Sequence, residues 1–436
     1  LTQSIYSVMK RVLVAGSGGR EHALALSLSK SPILDKLYCA PGNPGTSPFA
    51  ENIQVDLRDF DALARIIAEK EINVVVIGPE NPLVDGLKDY LEERGILENV
   101  VFVGPGKEGA KLEGSKEFAK EFMSRWSIPT ARFKTFEAGE EAEAKIFLKS
   151  LNPPYVLKAD GLAAGKGVVI PEDYDSAVRE LGEMLGGKFG SAGKRVVIEE
   201  FLTGIELSVF VLTDGKDYML LPSAKDYKRI GEGDSGLNTG GMGAVSPLPF
   251  ADELFMKKVE DRVIVPTLRG LGEEGINYQG FIFFGLMNCN GDPYVIEYNV
   301  RMGDPETEAV LPRVKSDLLA HFVAMGEGAL KEERIAISEN TSVAVVAVSA
   351  GYPEAYESGI EISVEDNIDS LVFHSGTALK DGSVVTSGGR VLVVSAMGDS
   401  IDSAAKRAYT DIKKISFNGM YYRGDIGEDI KRLLNQ

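Results

Sequence analysis

Short apolar runs alternate with stretches of helical period over the first hundred residues. Residues 12–15, 38–40, 74–77 and 101–103 are runs with no polar alternation. Such runs predict buried strands, because a strand covered on both faces needs no polar side. Between them, residues 20–30, 60–71 and 87–95 space their apolar side chains by three and four, which predicts helices. The alternation predicts a small parallel sheet with helices on both faces. Residues 107–126 read as one long helix leading out of this unit.

The middle of the chain reads as α+β within an α/β whole. Residues 195–202, 207–213 and 218–222 are strand-like, with Asp214-Gly215 as a turn, and 251–272 carry a helical pattern. A further unit begins with a strand at 342–350, continues through strands at 371–373 and 390–395, and has a helix at 400–414. Boundaries near 115 and 335 give units 1–115, 116–335 and 336–436, with a smaller subunit at about 125–195 inside the second. The chain has no internal repeat and no low-complexity linker.

Two hairpins carry the chemistry. In Val-Leu-Lys-Ala-Asp-Gly-Leu-Ala-Ala-Gly-Lys-Gly-Val-Val-Ile at 156–170, a strand ending near Lys158 meets a loop with Gly161, Gly165, Lys166 and Gly167, then a return strand. Glycines let backbone N–H groups approach phosphate oxygens, and the lysines add charge. It is not a Walker loop: three residues separate Gly161 from Gly165, and a strand follows where that motif needs a helix. The second hairpin pairs 281–288 with 294–300 across Asn290-Gly291-Asp292. Strand alternation places Glu297, Asn299 and Arg301 on one face. A carboxylate beside an amide oxygen suits Mg²⁺, a hard cation that binds oxygen and phosphates. The competing reading pairs Glu297 with Arg301.

Together these segments resemble the ATP-grasp ligases and, more narrowly, the glycinamide ribonucleotide synthetase family. The resemblance runs almost end to end. It includes Gly-Ser-Gly-Gly-Arg-Glu-His-Ala at 16–23, Ala-Pro-Gly-Asn-Pro-Gly-Thr at 40–46 and Gly-Pro-Glu-Asn-Pro-Leu at 78–83. It continues with Leu-Glu-Gly-Ser-Lys at 112–116, the 158–167 loop, Asn-Thr-Gly-Gly-Met-Gly-Ala at 238–244 and Arg-Met-Gly-Asp-Pro-Glu-Thr at 301–307.

The resemblance implies an ATP-grasp fold with an N-terminal Rossmann-like domain and a small C-terminal domain. It implies a ligase that joins glycine to 5-phosphoribosylamine through a glycyl phosphate in de novo purine biosynthesis. Lys116 and Lys158 match the lysines on the nucleotide phosphates, and the loop from Gly161 through Gly165 and Lys166 to Gly167 matches the one that closes over them. Glu199, Glu200 and Leu202 match the linker that reads adenine, and Glu206 the ribose contact. Glu297 and Asn299 match the ligands of Mg²⁺ or Mn²⁺. Arg301, Lys158 and Asp226 are the expected catalytic residues. Lys228, Arg301, Gly303 and Asp304 are expected on the substrate side. Gly18, Gly19 and Arg20 are expected at the sugar phosphate, where a glycine turn and a helix N-terminus present free N–H groups. Gly42, Asn43 and Glu80 are expected beside them. Lys225, Tyr227 and Leu237 stand where the family has Gln, His and Pro. Gly285 stands where wider ATP-grasp relatives carry a carboxylate. A bicarbonate-activating carboxylase and a non-catalytic nucleotide-binding regulator are the alternatives.

Composition narrows the partners. The 436 residues carry a net charge of −18, with 44% hydrophobic and 26% charged residues. That balance disfavours bulk binding to nucleic acid or anionic membrane and leaves small molecules as partners, with a monomer or weak dimer expected. Lys225, Lys228 and Arg229 form a local basic cluster for anionic substrates. Two cysteines and three histidines exclude a disulfide framework or a histidine-rich metal centre and fit a cytoplasmic protein. Cys39 reads as core. No apolar run has transmembrane length. Residues 1–8 lack a signal-peptide pattern, and Met9-Lys10-Arg11 reads as a natural start. The turn at 16–19 is not a dinucleotide fingerprint, because Glu21 stands where the third glycine belongs. Gly233-Asp234-Ser235-Gly236 has no positioned histidine to make a protease site.

Overall fold

The computed structural model describes residues 9–162, 167–190 and 194–434. The first apolar runs form one parallel sheet, ordered Glu51–Asn52, Leu34–Pro41, Lys10–Gly16, Val74–Ile77, Val101–Val103. Val12, Val14, Val74 and Val76 are inaccessible to solvent, and so is Cys39, whose thiol burial pushes up to about 12. The strand order reverses between Lys10–Gly16 and Val74–Ile77. Open α/β sheets hold ligands beyond the carboxyl ends of strands at such a reversal. Residues 18–20 and Glu80 stand there.

The helix expected over 107–126 is two helices, Lys107–Gly114 and Lys116–Arg125. Ser115 between them is extended, at φ −138° and ψ 114°. Its hydroxyl accepts from the Phe118 N–H at 3.1 Å and donates to Asp160 Oδ1 at 3.0 Å. A serine cap offers the backbone a local partner that competes with continuing the helix, while the apolar period runs on undisturbed. The break turns Glu113 and Lys116 toward the same cavity. The helix expected at 251–272 begins at Glu253 behind an Asp252 cap and passes through a wide π turn, Glu260–Ile264, before Val265–Glu273.

Two antiparallel sheets follow. One is ordered Phe133–Glu137, Arg195–Glu200, Tyr155–Ala159, Val168–Val169, with its own core of Phe136, Leu148, Leu157, Leu181 and Ile198. The other is ordered Tyr218–Leu220, Ile205–Thr213, Gly280–Cys289, Asp292–Asn299. Its last pair slips register: Gly285 faces Glu297, but Leu286 faces Val295. Ile296 is therefore the extra residue of a bulge, with its carbonyl outside the ladder. Gly285 leaves room for Glu297, since a Cβ there would lie 3.2 Å from Glu297 Cγ.

A third sheet combines Lys225–Asp226 and Gly243–Ser246 with the later strands Thr341–Val348, Arg390–Gly398 and Leu371–His374. Lys225 and Tyr227 point into this junction. Lys225 pairs with Asp429 at 2.9 Å and lies 4.0 Å from the Tyr227 ring centre. Tyr227 donates to Asp429 Oδ1 at 2.5 Å and accepts from the Gly427 N–H at 2.9 Å. These two departures from the family pattern thus tie down the final helix, Glu428–Leu434, and Leu237 is exposed.

Tyr227→Phe removes one buried hydroxyl and leaves two partners unmet. We expect a loss of about 1–3 kcal/mol in stability, read as a lower melting temperature. An unchanged melting temperature would show that the final helix does not depend on this contact.

Candidate active site

A cavity of about 370 Å³ opens between the two antiparallel sheets, the strand ends of the first unit and Arg390 of the last. Of the residues singled out in the sequence, it gathers Lys116, Lys158, Gly167, Glu199, Asp226 and Lys228 on its walls. Glu297, Asn299, Arg301, Gly303, Asp304, Arg20 and Glu80 complete the set. Gly165 and Lys166 lie outside the described residues.

One end is basic. Glu199 is 3% exposed and sits between two lysines: Lys120 Nζ is 2.8 Å from Oε2, and Lys158 Nζ is 2.9 Å from Oε1. Burial alone would raise the Glu199 pKa, but Lys158 and Lys120 outweigh it and hold the carboxyl below its ordinary value. Burial pulls Lys120 down to about 8, Lys158 adds like-charge repulsion, and Glu199 opposes both. Lys120 also donates to Thr130 Oγ1 at 2.7 Å. Lys158 donates to the Ile296 carbonyl at 3.2 Å, the group freed by the bulge. Lys116 donates to the Gly161 carbonyl at 3.1 Å, and burial lowers its pKa. Three lysines around one buried carboxylate leave an excess of positive charge that an anion would neutralise. Sequence reading passed over Lys120. The signal was its i,i+4 spacing from Lys116, which puts both on one helix face.

The other end is built on Arg301. Its Nη2 donates to Glu113 Oε1 at 2.7 Å and to Asn299 Oδ1 at 3.1 Å, and its Nε lies 3.4 Å from Glu80 Oε2. Burial would raise Glu80, yet Arg301 and Arg20 hold it below its ordinary value. Burial dominates at Glu113 and raises it. Arg301 is thus spoken for by the first unit, and Glu297 has no ion pair among the described residues. Asn299 Nδ2 is buried without a partner there. Two protein oxygens, one from Glu297 and one from Asn299, fit a small divalent cation that takes its remaining ligands from phosphates and water.

Other residues singled out in the sequence have partners within the protein. The Gly18 N–H donates to Glu21 Oε2 at 2.6 Å, and a Cβ on Gly19 would stand 2.3 Å from Glu308 Oε1. The turn is packed on carboxyl groups, and the Gly18 N–H is already given to Glu21. Arg20 alone of that segment lines the cavity, held by Glu21 at 2.6 Å and the Met302 carbonyl at 3.1 Å. Asn43 spends its whole amide internally. It donates to the Ser17 and His374 carbonyls, both at 2.9 Å, and accepts from Gly45 and Thr46. Gly42, at φ +71°, packs over Asn52. Asn43 docks the first unit against the last, Gly42 packs within the first unit, and neither lines the cavity. Glu200 accepts from the Arg132 N–H at 2.8 Å, Leu202 lies beyond the strand, and Glu206 pairs with Lys228 at 2.7 Å. Lys225 leaves the basic cluster for Asp429, and Arg229 donates to the Gly236 carbonyl at 2.8 Å. Glu113 and Glu306, which lie inside the motifs at 112–116 and 301–307 without an expected role, line the wall together with Arg390.

Two sheets closing on a pocket of lysines, with a carboxylate and amide on the facing hairpin, define an ATP-grasp ligase. Family models for the phosphoribosylglycinamide synthetase N domain, ATP-grasp (A) domain and C domain match residues 10–113, 114–307 and 342–429. The phosphoribosylamine–glycine ligase of Clostridium acetobutylicum is 45% identical over 419 residues, covering 96% of this chain and 99% of that protein. The one from Chlorobaculum tepidum is 46% identical over 426 residues, covering 96% and 99%. The crystal structure of phosphoribosylamine–glycine ligase from Thermotoga maritima superposes with a TM-score of 0.84 at 38% identity, covering 95% of this chain and all of that one, 100%. A biotin carboxylase domain from Hydrogenobacter thermophilus shares the fold at a TM-score of 0.71 and 18% identity, covering 95% and 92%. The chain belongs to the phosphoribosylglycinamide synthetase family and is an ATP-dependent ligase.

Lys120 gives a pH signature. Its value of about 8 lies below the ordinary 10.5, so between these values the unfolded chain binds more protons. Stability therefore rises with pH across that window, and the cost of burying the charged lysine is present in full below it. Lys120→Met should lose this rise. Melting temperatures of both proteins at two pH values inside the window measure it, and parallel changes would contradict the assignment.

Proposed function

We propose that the chain joins glycine to 5-phosphoribosylamine, giving glycinamide ribonucleotide, ADP and phosphate, a step of de novo purine biosynthesis. The observation that carries this is the Glu297 carboxylate, without an ion pair among the described residues, beside Asn299 in one cavity with Lys116, Lys158 and Arg301. Membership of the family supports the substrates. No covalent nucleophile on the protein is required, because the glycine carboxylate itself attacks the γ-phosphate.

In this reading Lys116 and Lys158 neutralise the nucleotide phosphates, with Lys158 leaving Glu199 to Lys120 as it does so. Arg301 orients the carboxylate of glycine. Phosphoryl transfer proceeds mainly by such positioning and charge neutralisation. Mg²⁺ or Mn²⁺ held by Glu297 and Asn299 supplies further positive charge at the phosphates. Glu200 and the backbone at Leu202 meet the adenine end, with Glu206 at the ribose when it releases Lys228. Arg20, Lys228, Gly303 and Asp304 face the amine sugar, and Arg20 is the charge left to meet its phosphate. Asp226 stands at the reacting end. The hairpin around Gly161 and Gly167 covers the phosphates and keeps water from the acyl phosphate.

Units 1–115, 116–335 and 336–436 then divide the labour as sugar-binding, nucleotide-binding and closing parts. The protein works on small molecules in the cytoplasm as a monomer or weak dimer, without nucleic acid or membrane. No helix among the described residues is long and apolar enough to cross a membrane.

The test is ADP release in the presence of Mg²⁺. Release that requires both glycine and 5-phosphoribosylamine supports the reading; release driven by bicarbonate, or none with any substrate, refutes it. Glu297→Ala should abolish turnover while melting normally, and near-normal turnover at saturating Mg²⁺ would remove Glu297 from the metal site.

A further inference from the structure

One part of the cavity holds more carboxyl groups than the chemistry above has used. Lys228 Nζ lies 2.7 Å from Glu206 Oε2 and 3.8 Å from Asp226 Oδ1. Lys225, the other lysine of this strand pair, is occupied by Asp429 at 2.9 Å. Glu306 joins the group on the cavity wall, 3% exposed, with Oε1 accepting the Ser208 hydroxyl at 3.1 Å. Ser208 exchanges backbone hydrogen bonds with Ala224, two residues before Asp226, so the three acids come from two neighbouring strands and a facing helix. Three carboxyl groups share one ammonium.

Such a group cannot ionise completely, because buried like charges disfavour one another. Burial, and then Asp226, push Glu306 up to about 7. Burial likewise raises Asp226, against the pull of Lys228. Of the remaining neighbours, Asp304 is held by Arg390 at 3.0 Å, and Glu308 packs against Gly19 with neither carboxyl oxygen hydrogen-bonded among the described residues. Ser208 fixes one oxygen of Glu306. The other lies against bare backbone, since a Cβ on Gly303 would stand 2.4 Å from Oε2. The glycine of the 301–307 segment thus makes room for a carboxyl group at the cavity wall.

We propose that Glu306, backed by Asp226, accepts the proton of the attacking amine in the second half of the reaction. The proposal rests on the ligase reading given above. The amine lone pair forms the C–N bond at the acyl carbon of glycyl phosphate. The bond from that carbon to the phosphate oxygen breaks, and the oxygen keeps the electron pair. The surplus N–H proton passes to the Glu306 carboxylate and leaves with the products. The base works only when unprotonated, so this step speeds up as pH rises through the Glu306 pKa. An ordinary surface carboxylate would be a much weaker acceptor.

Hydroxylamine separates the half-reactions, because it attacks acyl phosphates without a catalyst. Wild type, Glu306→Gln and Glu306→Asp are compared in two assays, hydroxamate formation from ATP, glycine and hydroxylamine, and amide formation with 5-phosphoribosylamine. Glu306→Gln should slow amide formation by about 10²–10³-fold while hydroxamate formation stays within about threefold. Glu306→Asp should recover part of the loss. If both reactions fall together with a raised KM for glycine, the carboxyl holds the glycine ammonium and the proposal is wrong. If neither falls, Glu306 has no part in the chemistry. Should the variant not fold, the wild-type pH profile decides. An acidic limb in amide formation that is missing from hydroxamate formation supports the base, and the same limb in both overturns it. Absence of ADP release from the wild type with ATP, glycine and 5-phosphoribosylamine would remove the ligase reading itself, and this proposal with it.

Discussion

A single buried carboxylate between two lysines organises the nucleotide end of this molecule. Glu199 lies on the strand Arg195–Glu200, Lys158 on Tyr155–Ala159 and Lys120 on the helix Lys116–Arg125. The 2.8 Å contact to Lys120 therefore binds the smaller sheet to the helix that leads into it, and the 2.9 Å contact to Lys158 ties two neighbouring strands of that sheet. Removing one partner from a buried pair leaves an uncompensated charge and typically costs about 3–5 kcal/mol. The arrangement also stores a cation. With Lys120 able to hold Glu199 by itself, Lys158 is free to turn to an arriving phosphate without stranding a bare carboxylate.

Arg301 plays the matching role at the opposite end, with the charge signs reversed. It stands among Glu113, Glu80 and the Asn299 amide, so the hairpin that would carry a metal is fastened to both the first unit and the preceding helix. Basic and acidic ends face each other across one cavity. A nucleotide with its phosphates suits the first, and an amine and a cation suit the second. The overall charge of −18 is thus no obstacle to binding anions, because Lys116, Lys120 and Lys158 are gathered at one point. The last unit takes part through Arg390, which donates to the Gly240 and Asp304 carbonyls at 2.7 and 2.6 Å and closes the wall.

Sequence patterns reached the fold because it rests on local regularities. The apolar runs at 12–15 and 74–77 could be little else than buried parallel strands, and the hairpins were marked by turn residues between β-branched runs. The same patterns failed at Ser115, where one side-chain hydrogen bond breaks a helix whose periodicity continues, and at Ile296, where a bulge shifts the register by one residue.

The sequence by itself determined the residue types of the site: lysines on a glycine hairpin, and Glu297, Asn299 and Arg301 at alternate positions of a strand. Both follow from short-range geometry. Only the tertiary structure decided which of these charges are paired and which are free. Glu297 has no ion pair among the described residues, and Arg301 finds Glu113, almost two hundred residues earlier in the chain. The Gly18 N–H is occupied because Glu21 folds back on the turn. Asn43 is spent on carbonyls of two different units, one of them at His374. Glu306 becomes a proton acceptor only where Asp226 and Ser208 arrive from other strands to bury it beside a second acid. Electrostatic roles depend on distance and dielectric, and both are set by which distant segments pack together.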